Sequence, residues 1–223
     1  SDFDRFWRWF GEAVAARMFT DPRDILAKMA PFKDHLNAQL SLEALRMWAL
    51  CRWSDAGLPV FVPTQGLAAA LTLTQYPRLK VGDVPFPFDA MVIQVPRPWL
   101  ASPFDKIATI WAYRMPVFPD SPDLTGLRVE VVMEDGTCMD RSSPLDMDVE
   151  GAIESNAVRA VSEGMAPEEV AIVRICTRIV VGLAVYIAAL PPADRAAAQR
   201  RSSKGQRSGS GPIPQQWDVG RDV

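Results

Sequence analysis

Two arginines, Arg174 and Arg178, interrupt the most apolar run of the chain, VAIVRICTRIVVGLAVYIAAL, which covers residues 170–190. Side chains four residues apart share one helix face, so these two guanidinium groups repel each other unless anions meet them. One interpretation is an anion site for a phosphate or a nucleotide, which arginine forks bind bidentately. The other, favoured by the usual internal pairing of buried charges, is a pair of salt bridges. Candidate partners for such salt bridges are Glu130, Asp140, Asp146 and Asp148.

Acidic residues concentrate in MEDGTCMDRSSPLDMDVEGAIE, where seven carboxylates fall between Glu134 and Glu154. Asp146 and Asp148 alternate, so both could face one hard metal cation or serve as acid and base. The ordinary alternative is a solvated hairpin tip followed by the first turn of a helix, where acidic residues are favoured. With the two arginines, these carboxylates would define an enzyme acting on a nucleotide or phosphorylated substrate.

The sequence contains no further catalytic or cofactor signature. One histidine, His35, and three scattered cysteines cannot form a zinc site. No G-x-S-x-G motif is present, and KGQRSGSG lacks the Walker pattern. Cys51, Cys138 and Cys176 lie in apolar stretches without C-x-x-C spacing, which predicts inert buried thiols in a reducing, cytoplasmic compartment. We therefore expect no cofactor and no metal site.

Positive charge concentrates at the C-terminal end of the chain. The net charge is -3, yet residues 191–223 hold six basic and three acidic residues, which leaves -6 on the rest. Their Ser- and Gly-rich part predicts a mobile segment, with a short ordered end near Trp217. It could bind nucleic-acid phosphates, act as a solubilising linker, or fold back on the acidic body. The candidate phosphate contacts are Arg200, Arg201, Lys204 and Arg207.

The N-terminal stretch SDFDRFWRWFGEAVAARM has the apolar spacing of an amphipathic helix. Trp9 lies beside the apolar stripe and Arg5 lies on the polar face, which makes them candidates for binding a protein partner. The alternative is a helix that docks on the core of its own chain.

The elements that must position these residues fall into three blocks of one globular domain, residues 1–190. Residues 1–57 predict a helical subdomain, residues 58–148 a proline-rich β region, and residues 149–190 further helix. Within the β region, strands at 90–95 and 106–115 and a hairpin around Asp135-Gly136 predict an antiparallel sheet of about four strands. The expected fold class is therefore α+β, with a long buried C-terminal helix.

That apolar C-terminal helix is long enough to cross a membrane, because about 20 residues suffice. Only 12 residues of the run follow Arg178, however, and each central arginine would cost about 2.5–3.5 kcal/mol in a bilayer. We therefore predict a helix inside a soluble core and no membrane partner.

These patterns predict a cytoplasmic, non-enzymatic binding or regulatory protein that contacts a protein partner, or nucleic acid through its basic tail. The alternative is the enzyme with the anion site at Arg174 and Arg178. The oligomeric state is left open by the sequence.

Overall fold

The computed structural model describes residues 46, 49–53, 55–95, 104–115, 126–201 and 215–220. The chain divides into two compact units, Ser1–Asp55 and Ala56–Val223. In the first unit, the described residues 46, 49–53 and 55 are helical. The predicted partner-binding residues Arg5 and Trp9 lie outside the described residues.

The second unit is an α+β structure built on one sheet, and the sheet corrects our prediction of about four antiparallel strands. It has seven strands in the order β5-β4-β3-β2-β1-β7-β6, and it is mixed. β1 is parallel to both β2 and β7, whereas the other neighbours are antiparallel. The strands are β1 Pro59–Pro63, β2 Ala90–Gln94, β3 Ile107–Met115, β4 Gly126–Met133, β5 Cys138–Ser143, β6 Gln199–Arg201 and β7 Gln215–Val219.

β1 was missed because its prolines suggested an irregular segment. Pro59 and Pro63 stand only at the two ends of the strand, and Val60 and Phe61 between them pair with neighbours on both sides. Proline is tolerated at the first position of a strand, where a missing N–H costs least. The hairpin prediction is confirmed: β4 and β5 flank Asp135-Gly136, and Gly136 adopts a φ of 83°.

Four α-helices lie among the described residues of the second unit: α1 Gln65–Leu73, α2 Val149–Ser162, α3 Pro167–Ala189 and α4 Pro192–Ala198. Thr64 caps α1 by accepting a hydrogen bond from the N–H of Leu67, and Asp148 caps α2 in the same way through Gly151. α1, α2 and α3 share one hydrophobic core with the sheet, which includes Phe61 and Ile110.

α3 is the predicted long apolar helix, and it is mostly buried. It is the one helix of the described chain with the length and composition of a membrane span, and 67% of its most apolar window is buried inside the protein. That burial is consistent with the core helix of a soluble protein. In α2, by contrast, the apolar side chains of Val158 and Val161 are exposed.

Part of the segment predicted to be mobile is structured. α4 and β6 overlap the residues for which we predicted mobility, whereas β7 falls in the end near Trp217 that we predicted to be ordered, and it lies inside the sheet between β1 and β6. The strand was missed because β7 pairs with β1, which lies about 155 residues earlier in the chain. Residues 202–214 lie outside the described residues, so the prediction of mobility stays a prediction there.

Candidate functional site

The two arginines of α3 face α2, and each one meets a carboxylate there. Arg178 Nη2 donates to Glu150 Oε2 at 2.8 Å, and Arg174 Nη2 donates to Glu154 Oε2 at 2.7 Å. The two arginines are four residues apart in α3, and the two glutamates are four residues apart in α2. Because α2 and α3 run antiparallel, the earlier glutamate pairs with the later arginine. The partners are therefore two residues of α2, and none of the four carboxylates proposed from the sequence.

The inner of the two ion pairs is the more constrained. The Arg178 and Glu150 side chains are 24% and 27% exposed, whereas those of Arg174 and Glu154 are 42% and 59% exposed. Glu150 Oε1 also accepts the backbone N–H of Tyr76 at 3.0 Å, so both of its oxygens are occupied. A phosphate at this place would have to compete with carboxylates that already neutralise the arginines. The outer pair contributes little to stability, as exposed ion pairs generally do.

Tyr76 extends this ionic contact into the core. Its side chain is buried against Gly182 of α3, and burial raises the pKa of its phenol above the ordinary value. Thr74 lies near the phenol, but the Thr74 hydroxyl donates to the Ala70 carbonyl, and the Tyr76 hydroxyl makes no hydrogen bond of ordinary geometry. A buried hydroxyl without a partner costs stability, so we infer a packing role for Tyr76.

Asp146 and Asp148, the acid or metal candidates, are both exposed. Asp148 Oδ1 accepts the Gly151 N–H at 2.8 Å and serves as the cap of α2. Across the described residues, no group of three or more His, Cys, Asp or Glu side chains could hold a metal ion. The cap explains why an acid stands at position 148, because a carboxylate favours a helix N-terminus.

The basic candidates begin at the outer edge of the sheet. Arg200 and Arg201 belong to β6, where their backbones pair with Gln216 and Gln215 of β7. β6 is the last strand of the sheet on this side. Lys204 and Arg207 lie outside the described residues. The basic run of the sequence thus begins in a strand of the sheet.

A further polar cluster lies on the sheet face opposite the helices, and sequence reasoning missed it. Arg128 and Glu130 of β4 are each only 7% exposed, and Arg128 Nη2 forms an ion pair with Asp140 of β5. Val129 and Val131, which alternate with these two residues along β4, belong to the helix-covered core. The alternation of charged and apolar residues along β4 indicated that the strand has a polar and an apolar face. Such a polar face is normally exposed to solvent. Nothing in the sequence therefore indicated that Arg128 and Glu130 are buried.

Comparison with known proteins does not assign a class to this arrangement. The chain matches no protein-family model, no curated protein and no solved structure. The α+β fold and the chemistry of individual side chains are therefore the basis for any functional argument.

Proposed function

We propose that this is a cytoplasmic, non-enzymatic binding or regulatory protein that holds nucleic acid through the basic segment starting at β6. One observation carries the proposal: the only strand edge of the described C-terminal region, β6, bears Arg200 and Arg201 and leads directly into further basic sequence. A protein partner with an acidic surface is the competing occupant, and the experiment below separates the two.

The charge distribution supports a polyanionic partner. No acidic residue occurs between Asp194 and Asp218, while the same stretch contains five basic residues. Residues 1–190 have a net charge of -6, so this segment is where the net charge favours attraction of phosphates. Contacts of this kind are made to the phosphate backbone and carry no base specificity.

The enzyme alternative has less support. Its anion site needs guanidinium groups that are open to substrate, but Arg174 and Arg178 each hold a carboxylate of α2 at hydrogen-bond distance. A thermal-shift screen with nucleotides and divalent metal ions tests this alternative, because a ligand that binds only the folded state raises the melting temperature. A reproducible shift that disappears in Arg178→Ala would favour the enzyme.

The proposal is tested by measuring duplex DNA affinity against salt for the wild type and for a variant with Arg200, Arg201, Lys204 and Arg207 replaced by Ser. The logarithm of the wild-type affinity should fall with the logarithm of salt concentration with a slope of roughly -3 to -4, since each phosphate contact contributes about -0.9. The variant should lose binding without a change in melting temperature, because a three-residue strand at the end of a sheet contributes little to the core.

Arg159→Ser is the matched control, because it removes an exposed arginine from α2. Its DNA affinity should equal that of the wild type. Absence of wild-type binding at low salt would refute the nucleic-acid proposal, and capture of an acidic protein lost in the four-residue variant would point to the competing occupant. The predicted surface at Arg5 and Trp9 can be tested in the same capture assay with both residues replaced by Ala.

A further inference from the structure

We propose that Arg195 is a positioning residue that ties α4 to the C-terminal end of α3 and thereby fixes β6 at the edge of the sheet. The part of this inference that concerns nucleic-acid affinity rests on the proposed function. The part that concerns the placement of β6 stands on the geometry alone.

The anchor consists of hydrogen bonds from one guanidinium group to the last carbonyls of α3. Arg195 Nη2 donates to the carbonyl of Leu190 at 3.0 Å and to that of Ala188 at 3.3 Å, and Nε donates to Leu190 at 3.4 Å. The final carbonyls of a helix have no partner within the helix. α3 has no basic residue in its own last turn, so Arg195 supplies the cation that its C-terminal dipole favours.

The elements that follow the anchor are too short to hold themselves in place. α4 has seven residues and β6 has three. Isolated helices shorter than about 12 residues are marginal in water, and so are short strand pairs without packing support. α4 contacts both β6 and β7, so an anchored α4 supports the edge strand. The physical connection therefore runs from α3 through Arg195 and α4 to β6.

This arrangement divides the basic run into two roles. The Arg195 guanidinium is engaged with carbonyls of its own chain, so it is a poor candidate for a phosphate contact despite its exposure. Arg200 and Arg201, which stand in the strand it supports, begin the set of contacts proposed above. Arg195 then affects binding by raising the fraction of molecules in which β6 is formed.

The test compares Arg195→Ala, Arg195→Lys and the control Arg159→Ala in the full chain by amide hydrogen exchange and by DNA titration at several salt concentrations. Arg195→Ala should accelerate exchange at residues 199–201 and leave α2 unchanged. Its affinity for duplex DNA should fall about threefold to tenfold, in proportion to the loss of formed edge. Arg195→Lys should show a smaller increase in exchange at residues 199–201 and a smaller loss of DNA affinity than Arg195→Ala, because an ammonium still donates to carbonyls at the helix end.

The salt slope distinguishes an anchor from a direct contact. An anchoring residue leaves the slope unchanged, whereas loss of one phosphate contact makes it shallower by about 0.9. A shallower slope in Arg195→Ala, or unchanged exchange at 199–201, would overturn the inference. If the wild type does not bind DNA at all, the proposed function fails, and the exchange measurement alone decides the anchor.

Discussion

The contact between Gly182 of α3 and Tyr76 gives a direct test of how α3 packs against the end of α1. An alanine Cβ at position 182 would lie 2.1 Å from the Tyr76 hydroxyl oxygen and 2.7 Å from Leu71 Cδ2. Within a helix, alanine is better than glycine by about 1 kcal/mol, but overpacking a filled core costs about 1–3 kcal/mol. A contact of 2.1 Å places the overpacking cost in the upper part of that range, at about 2–3 kcal/mol, so we expect Gly182→Ala to lower the free energy of unfolding by about 1–2 kcal/mol.

Removing the hydroxyl should relieve most of that cost. In Tyr76→Phe, the remaining close atoms are Leu71 Cδ2, the end of a flexible side chain, and the ring carbon Cζ at 3.3 Å. Tyr76→Phe alone should be neutral or stabilising by up to about 1 kcal/mol, because the lost hydroxyl is buried without a hydrogen bond. In the phenylalanine background, Gly182→Ala should cost little, which gives a coupling energy of about 1–2 kcal/mol.

The double-mutant cycle is measured by urea unfolding and by amide exchange in α3, which reports on the unit that contains the helix. Gly66→Ala in α1 is the matched control, because nothing lies within 4 Å of the added carbon. That control should be neutral or stabilising by up to about 1 kcal/mol. A coupling energy below about 0.5 kcal/mol would show that the Tyr76 hydroxyl is not the reason for a glycine at position 182, and it would contradict this prediction.

Three further predictions concern single positions. Because burial raises the Tyr76 pKa above 10.0, the neutral phenol stabilises the folded state below that pH, and this contribution is lost above it. The free energy of unfolding should therefore fall more steeply above pH 10 in the wild type than in Tyr76→Phe. Gly126→Ala should destabilise by about 2 kcal/mol or more in urea unfolding, because φ is 139° and the new carbon would lie 1.9 Å from the Ser143 carbonyl oxygen. A thiol reagent should modify exposed Cys138 in the native protein but reach Cys176 only after unfolding, since burial both shields that thiol and raises its pKa; equal labelling rates would contradict this.

α2 and α3 were predictable because their signals are local, whereas α4 lies in the segment for which we predicted mobility. Asp148 before α2, Gly164 after it and Pro167 at the start of α3 are residues that begin or end helices by their own backbone chemistry. The Asp135-Gly136 turn is a signal of the same kind. Cys138 is the reverse case, because we predicted a buried thiol from apolar neighbours, and the side chain is exposed beside the turn.

The sheet was predicted only in its antiparallel half for a physical reason. β2 to β5 follow one another in sequence and pair with their neighbours, so hydrophobic alternation and turn residues suffice to predict them. β7 depends on pairing with β1 at the other end of the unit, and β6 in turn pairs only with β7. The β7 sequence QQWDV contains two residues that favour strands, Trp217 and Val219, beside glutamine and aspartate. β7 becomes a strand because it pairs with β1 and β6 on its two sides. Its own sequence does not show that these partners are present.

The ion-pair partners of Arg174 and Arg178 could have been predicted from the sequence. α2 and α3 are joined by a tight turn around Gly164, and an antiparallel helix pair brings together residues at equal distances from its turn. Glu150 and Arg178 each lie 14 residues from Gly164, and Glu154 and Arg174 each lie 10 residues from it. The symmetry of these four positions predicts both ion pairs without coordinates, once the two helices and the turn are recognised. The carboxylates proposed from the β region do not lie at these distances from the turn. The equal-distance rule instead gives each arginine a glutamate of α2. The two guanidinium groups then need no bound anion to offset their repulsion, which was the strongest argument for an anion site.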